Sequence, residues 1–123
     1  MLPRGCTLYE QEATLRYVNR IRKSCGTNSL DNLPKGCQRS SSDCVIARAL
    51  HELDDKVLVF QDGIYSDNLI FAKIVAENFG YTQDSIGLDV EDGVKRFVVP
   101  MPKILSSFVE NFDDGAYPEL VVS

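Results

Sequence analysis

Residues 86–99 constrain the fold most. Ile86-Gly87-Leu88-Asp89-Val90 and Val94 to Val99 are β-rich runs, and Glu91-Asp92-Gly93 between them is an acidic turn that ends in glycine. A turn of that kind reverses the chain tightly and sets the flanking strands antiparallel. Pro100 then stops the second strand. A second, shorter β-rich run, Val57-Leu58-Val59-Phe60, precedes the turn signal Gln61-Asp62-Gly63 and Ile64-Tyr65, which suggests another hairpin, with Ile64 to Ser66 open between strand and loop.

The remaining segments carry helical periodicity. Thr7-Leu8-Tyr9-Glu10 has the spacing of a capping box, in which hydroxyl and carboxylate each satisfy a free N–H at a helix start. Leu8, Leu15, Val18, Ile21 and Cys25 recur on one face, and Gly26 ends the run, so the first helix is predicted at about 8–25. Ser42 or Asp43 can cap a second at about 43–53, which buries Val45, Ile46, Ala49, Leu50 and Leu53. A third runs from Asn68 to Phe79 with Asp67 as cap and Gly80 as terminator. A fourth covers about 102–112, with Pro102 in its first turn and Gly115 beyond its end. Residues 27–41 are rich in Asn, Ser, Gly and Pro and read as a structured loop.

The order ααβ(β)αββα predicts an α+β fold: a small antiparallel sheet of one or two hairpins, packed with about four helices in a single compact domain over residues 1–123. The alternative is a mostly helical domain in which 57–65 forms only a short strand. Segments 1–6 and 117–123 are expected to fray, unless the tail docks. The chain of 123 residues, 44% apolar and 25% charged, has the composition of an ordinary globular protein. No apolar run reaches the roughly 18 residues of a membrane span, and the start lacks a secretion leader, so a cytoplasmic location is expected. There Cys6, Cys25, Cys37 and Cys44 are read as thiols.

Four cysteines and His51 are enough ligands for zinc, but the spacings Cys6-x18-Cys25-x11-Cys37-x6-Cys44-x6-His51 contain no close pair of the kind structural zinc sites use, and no metal or cofactor is expected. Cys44, at the start of the second helix, is the candidate reactive thiol, because a helix N-terminus lowers a thiol pKa. The plainer reading is a small buried thiol. His51, the lone histidine, lies seven residues on, roughly 10 Å along a helix, too far to activate it. The pairs Asp54-Asp55, Glu91-Asp92 and Asp113-Asp114 fall in turns and are explained by turn chemistry. No catalytic residue is assigned.

Charge is divided unevenly. Residues 1–50 carry net +4 and residues 51–123 net −9, within an overall −5. Arg16, Arg20 and Lys23 line one face of the first helix with Arg22 beside it, and Lys35 and Arg39 follow in the loop. Together they suit an acidic partner or phosphates. Glu12, four residues before Arg16, is positioned to pair with it, as on a solvated helix face. Tyr9, Tyr17, Tyr65 and Tyr117 are candidate interface anchors, and Asp113 with Tyr117 marks an acidic contact surface.

Three segments, Tyr17-Val18-Asn19-Arg20-Ile21-Arg22, Asp43-Cys44-Val45-Ile46-Ala47-Arg48-Ala49-Leu50 and Phe108 to Leu120, resemble a group of small proteins of actinobacteria and especially of their bacteriophages. In that group the middle run usually reads Cys-Pro-[Ile/Leu]-Ala, from which Val45 departs. The group carries no known activity. The resemblance implies a phage-encoded, non-enzymatic accessory protein that binds a host protein in a bacterial cytoplasm. A nucleic-acid-binding regulator that uses the basic helix face is the alternative, and a thiol-dependent enzyme or sensor at Cys44 the third reading.

Overall fold

A computed structural model describes the backbone of residues 4–122 and the side chains of 9–122; the expectations about the Cys6 thiol, about residues 1–3 and about Ser123 lie outside what is described. The element order is α1 (Arg4–Ser24), α2 (Val45–Leu50), β1 (Leu58–Phe60), β2 (Gly63–Ser66), α3 (Leu69–Asn78), β3 (Gly87–Glu91), β4 (Val94–Pro100) and α4 (Lys103–Asp113), with 3-10 turns at Gln83–Ser85 and Pro118–Leu120. The fold is α+β. Both hairpins form, which removes the mostly helical alternative and makes Ile64 to Ser66 a strand.

The four strands make one antiparallel sheet in the order β1-β2-β4-β3. Register places Val59 beside Ile64 and Ile64 beside Val99, so these three side chains share one face, and all three are buried. The opposite face carries Phe60 and Tyr65, whose rings meet edge to face at 4.9 Å. In the β3/β4 turn both Asp92 (φ 51°) and Gly93 (φ 79°) take the left-handed conformation, the geometry of a two-residue turn matched to strand twist.

Helix α3 covers β2 and β4, α2 lies against β1, and α1 touches all three other helices. The helical seam of α1 differs from the predicted one. Ala13, Thr14, Val18, Ile21 and Arg22 are buried, while Leu15 is half-buried. Helix α1 also begins at Arg4, which puts Thr7 inside the helix and rules out the capping box. Glu10 instead accepts hydrogen bonds from Tyr117 Oη and from Asn111 Nδ2 (3.0 Å), which joins α1 to α4 and to the tail. Asn68, one residue later than predicted, caps α3 by accepting from the Phe71 N–H at 3.1 Å.

The long loop is held at several points. Asn19 exchanges two hydrogen bonds with the backbone of Leu30 (2.7 and 3.0 Å). Gly36 donates to the Leu120 carbonyl (2.8 Å) and accepts from the Val122 N–H (3.0 Å), so the tail docks as a parallel bridge beside the loop. A Cβ at Gly36 would lie 2.3 Å from the Val45 nitrogen, so no other residue fits there without moving backbone.

Arg22 is the least expected part of the core. It is 3% exposed, and its guanidinium donates to the carbonyls of Asn28 (2.8 Å) and Ala49 (2.9 Å) and to Glu52 (3.2 Å). The Ala49 carbonyl lies in the last turn of α2, where helix carbonyls lack intrahelical donors and the dipole favours a cation. Arg22→Met leaves two inward carbonyls without a donor and is expected to cost about 2–4 kcal/mol in denaturant unfolding. Glu52→Gln, at a side chain 65% exposed, should cost less than about 1 kcal/mol. Equal losses in the two variants would show that the ion pair, and not the carbonyl contacts, carries the stability.

Candidate functional site

Cys44 itself is the N-cap of α2: its sulfur accepts from the Ala47 N–H at 3.5 Å, a role the sequence suggested for Ser42 or Asp43. Asp43 is occupied otherwise, with its carbonyl accepting from the Cys37 N–H and its carboxylate 3.7 Å from Arg48. Cys44 is 5% exposed, and burial pushes its thiol up from an ordinary 9.0 to about 11, with the negative charge of Asp113 adding to the rise. The N–H groups of Ala47 and Ile46 pull the other way and lose, because α2 is six residues long and the sulfur is nearly dry. The direction is opposite to the lowering expected from a helix N-terminus. His51 points elsewhere, donating from Nε2 to the Ser42 carbonyl at 2.8 Å.

The wall over Cys44 is a shallow cleft of about 200 Å³ lined by Arg39, Ser40, Ser41, Phe60, Gln61 and Asp113 among others. It brings together two residues that the sequence placed on separate surfaces. Arg39 has a left-handed backbone (φ 54°), and its N–H donates to Asp113 Oδ1 at 2.8 Å. Gln38 extends the same contact, donating to the Phe112 carbonyl at 3.0 Å. Asp113 is thus a loop anchor, half-buried, and not a free acidic contact. Nothing in residue order signals this meeting across more than seventy positions; the one hint is that both residues flank turn signals.

Tyr117 is not a surface anchor. It is completely buried, its ring stacked on Phe108 at 5.0 Å, and its hydroxyl donates to Glu10. Burial and then the Glu10 carboxylate hold that hydroxyl well above the usual phenol range. Tyr17 and Tyr65 are also half-buried, the first against Phe79 at 5.4 Å and the second donating to Asp62 at 3.2 Å. Only Tyr9 of the four stands well out of the surface, 59% exposed.

The basic face of α1 is divided. Arg16, Arg20 and Lys23 are exposed, while Arg22 turns inward and leaves the set. Among the described residues the ion pairs are Arg22 with Glu52 and Arg48 with Asp43, so the expected Glu12–Arg16 pair is not made. Arg20 lies over the Tyr17 ring, 5.8 Å from its centroid. Two of the acidic pairs hold other segments: Asp54 accepts from Ser66 Oγ and from the Lys56 N–H, and Asp113 from the Arg39 N–H. Cys25, Cys37 and Cys44 are free thiols, no described helix is long and apolar enough to cross a membrane, and no three metal-ligating side chains converge among the described residues.

The raised Cys44 pKa has a definite sign. Between pH 9 and 11 the unfolded chain loses the thiol proton and the folded chain keeps it, so stability falls as pH rises through that window, by roughly 2–3 kcal/mol. Cys44→Ala should flatten that part of the decline, leaving the portion due to Cys25, Tyr65 and Tyr117. In the native protein at pH 8, iodoacetamide should modify Cys37 well before Cys44; faster labelling of Cys44 would mean an open, activated thiol. Comparison with protein families, with characterised proteins and with solved structures finds no match.

Proposed function

We propose that the chain is a small accessory protein that works by binding another protein, with the exposed face of α1 as the contact. The observation that carries this reading is three cations, Arg16, Arg20 and Lys23, on one helix face with no carboxylate paired to them among the described residues. Their spacing of four and three residues keeps them within roughly 10 Å, about one Debye length, so they act on an incoming acidic surface together. The buried side of the same helix is locked by Val18, Ile21 and Arg22, which fixes the direction in which the cations point. In the setting that the resemblance implies, the partner is a protein of a bacterial host.

The same cations favour a second reading, a nucleic-acid-binding regulator. The net charge of −5 weighs against it. Arg39 adds nothing there, since it lines the Cys44 cleft, which no α1 residue lines.

The test is retrieval of partners from an actinobacterial lysate by the native protein and by Arg16→Glu/Arg20→Glu/Lys23→Glu. A partner retained after nuclease treatment, released by salt and lost with the triple variant is the expected result. The variant's unfolding free energy should stay within about 1 kcal/mol, because the three side chains are exposed and the stacking of Arg20 on the Tyr17 ring is worth no more than that at a surface. Loss on nuclease treatment would favour the second reading, and a variant that keeps every partner would remove both.

A further inference from the structure

The two edges of the sheet are treated differently. At β1 the Val59 N–H donates to the Ser41 carbonyl at 2.8 Å, so the long loop covers that edge. The other edge is β3, with no strand beyond it among the described residues. Glu91 and Val94 close the two-residue turn and form a hydrogen-bonded pair, and in an antiparallel ladder such pairs alternate along the strand. The N–H and C=O groups of Leu88 and Val90 therefore point away from β4, toward the open edge.

The side chains of β3 alternate as strictly as its backbone. Leu88 and Val90 share one face and are 59% and 57% exposed, while Asp89 and Glu91 share the other. Asp89 sits opposite Arg96 in register without an ion pair among the described residues, so its carboxylate is unspent. An open edge with apolar groups on one side and acids on the other fits a strand of the complementary pattern. We propose that β3 accepts an extended segment of a partner protein in which apolar side chains alternate with Lys or Arg, extending the sheet by one strand.

A second copy of this chain is a poor occupant. Antiparallel pairing about Asp89, the register that engages Leu88 and Val90 together, sets each Asp89 directly against its equivalent, and like charges so placed repel. The α1 cations take no part in this edge, so the edge and the α1 surface fail or survive separately.

The test uses the intact protein and three short capped peptides: one alternating Val with Lys, one alternating Val with Glu, and one with the Val and Lys residues of the first in separate blocks. Amide exchange read by NMR should show Leu88 and Val90 protected by the alternating Lys peptide and by neither control. N-methylation of that peptide's strand-facing amides should abolish the protection. Asp89→Asn/Glu91→Lys, which sets no like charge against Arg96, should weaken the Lys peptide at least about tenfold and shift preference to the Glu peptide, with melting little changed. Equal binding of the block peptide, protection elsewhere on the surface, no protection at all, or sedimentation of the free protein as a β3-mediated dimer would each overturn the proposal.

Discussion

A buried guanidinium sets the terms for the helical half of this protein. Burying the charge of Arg22 without partners would cost several kcal/mol, so the fold has to bring acceptors to it. They come from three places: the loop carbonyl of Asn28, the α2 carbonyl of Ala49 and the side chain of Glu52. Each of those segments is thereby fixed against the end of α1. The loop cannot leave without taking one of the cation's three acceptors, and α2, too short to be stable alone, gains a donor at the end where its carbonyls need one. With α2 placed, Cys44 is carried into the core and Gly36 is pressed against the first turn of that helix.

The strands and the glycine-ended helices were legible because their signals are local. Gly26, Gly80 and Gly115 all take positive φ at helix ends, and Asp92-Gly93 makes the turn its composition implies. The start of α1 was not legible: Thr7 and Glu10 fit a cap pattern, yet the helix runs through Thr7 and Glu10 serves Tyr117 and Asn111, residues about a hundred positions away. Spacing carries no information about such a partner. The same limit applies to Arg22 and Tyr117, whose amphipathic side chains suit surface and core alike until the tertiary acceptors are known. For Cys44 both the position at a helix start and the plainer reading, a small buried thiol, are borne out, while the groups that α4 and the loop place over the sulfur were beyond local reading.

The two proposed contact surfaces differ in character. The face of α1 holds mobile, hydrated cations that steer an encounter over distance and lose strength with salt. The β3 edge holds fixed backbone groups and short-range apolar contacts that act only after close approach. The cleft over Cys44 belongs to neither, since its charged residues Arg39 and Asp113 are engaged in holding the loop to α4.

The link between Glu10 and Tyr117 spans 107 positions and joins the first helix to the tail. Contacts of that separation form late, since the whole intervening chain must be ordered before they return any free energy. In synthesis α1 precedes its partners, and its Glu10 carboxylate has neither Asn111 nor Tyr117 to bind until α4 and the segment after it have emerged. The two ends of α1 are therefore completed at different times: Arg22 meets Asn28, Ala49 and Glu52 early, whereas Glu10 waits for α4 and the segment after it.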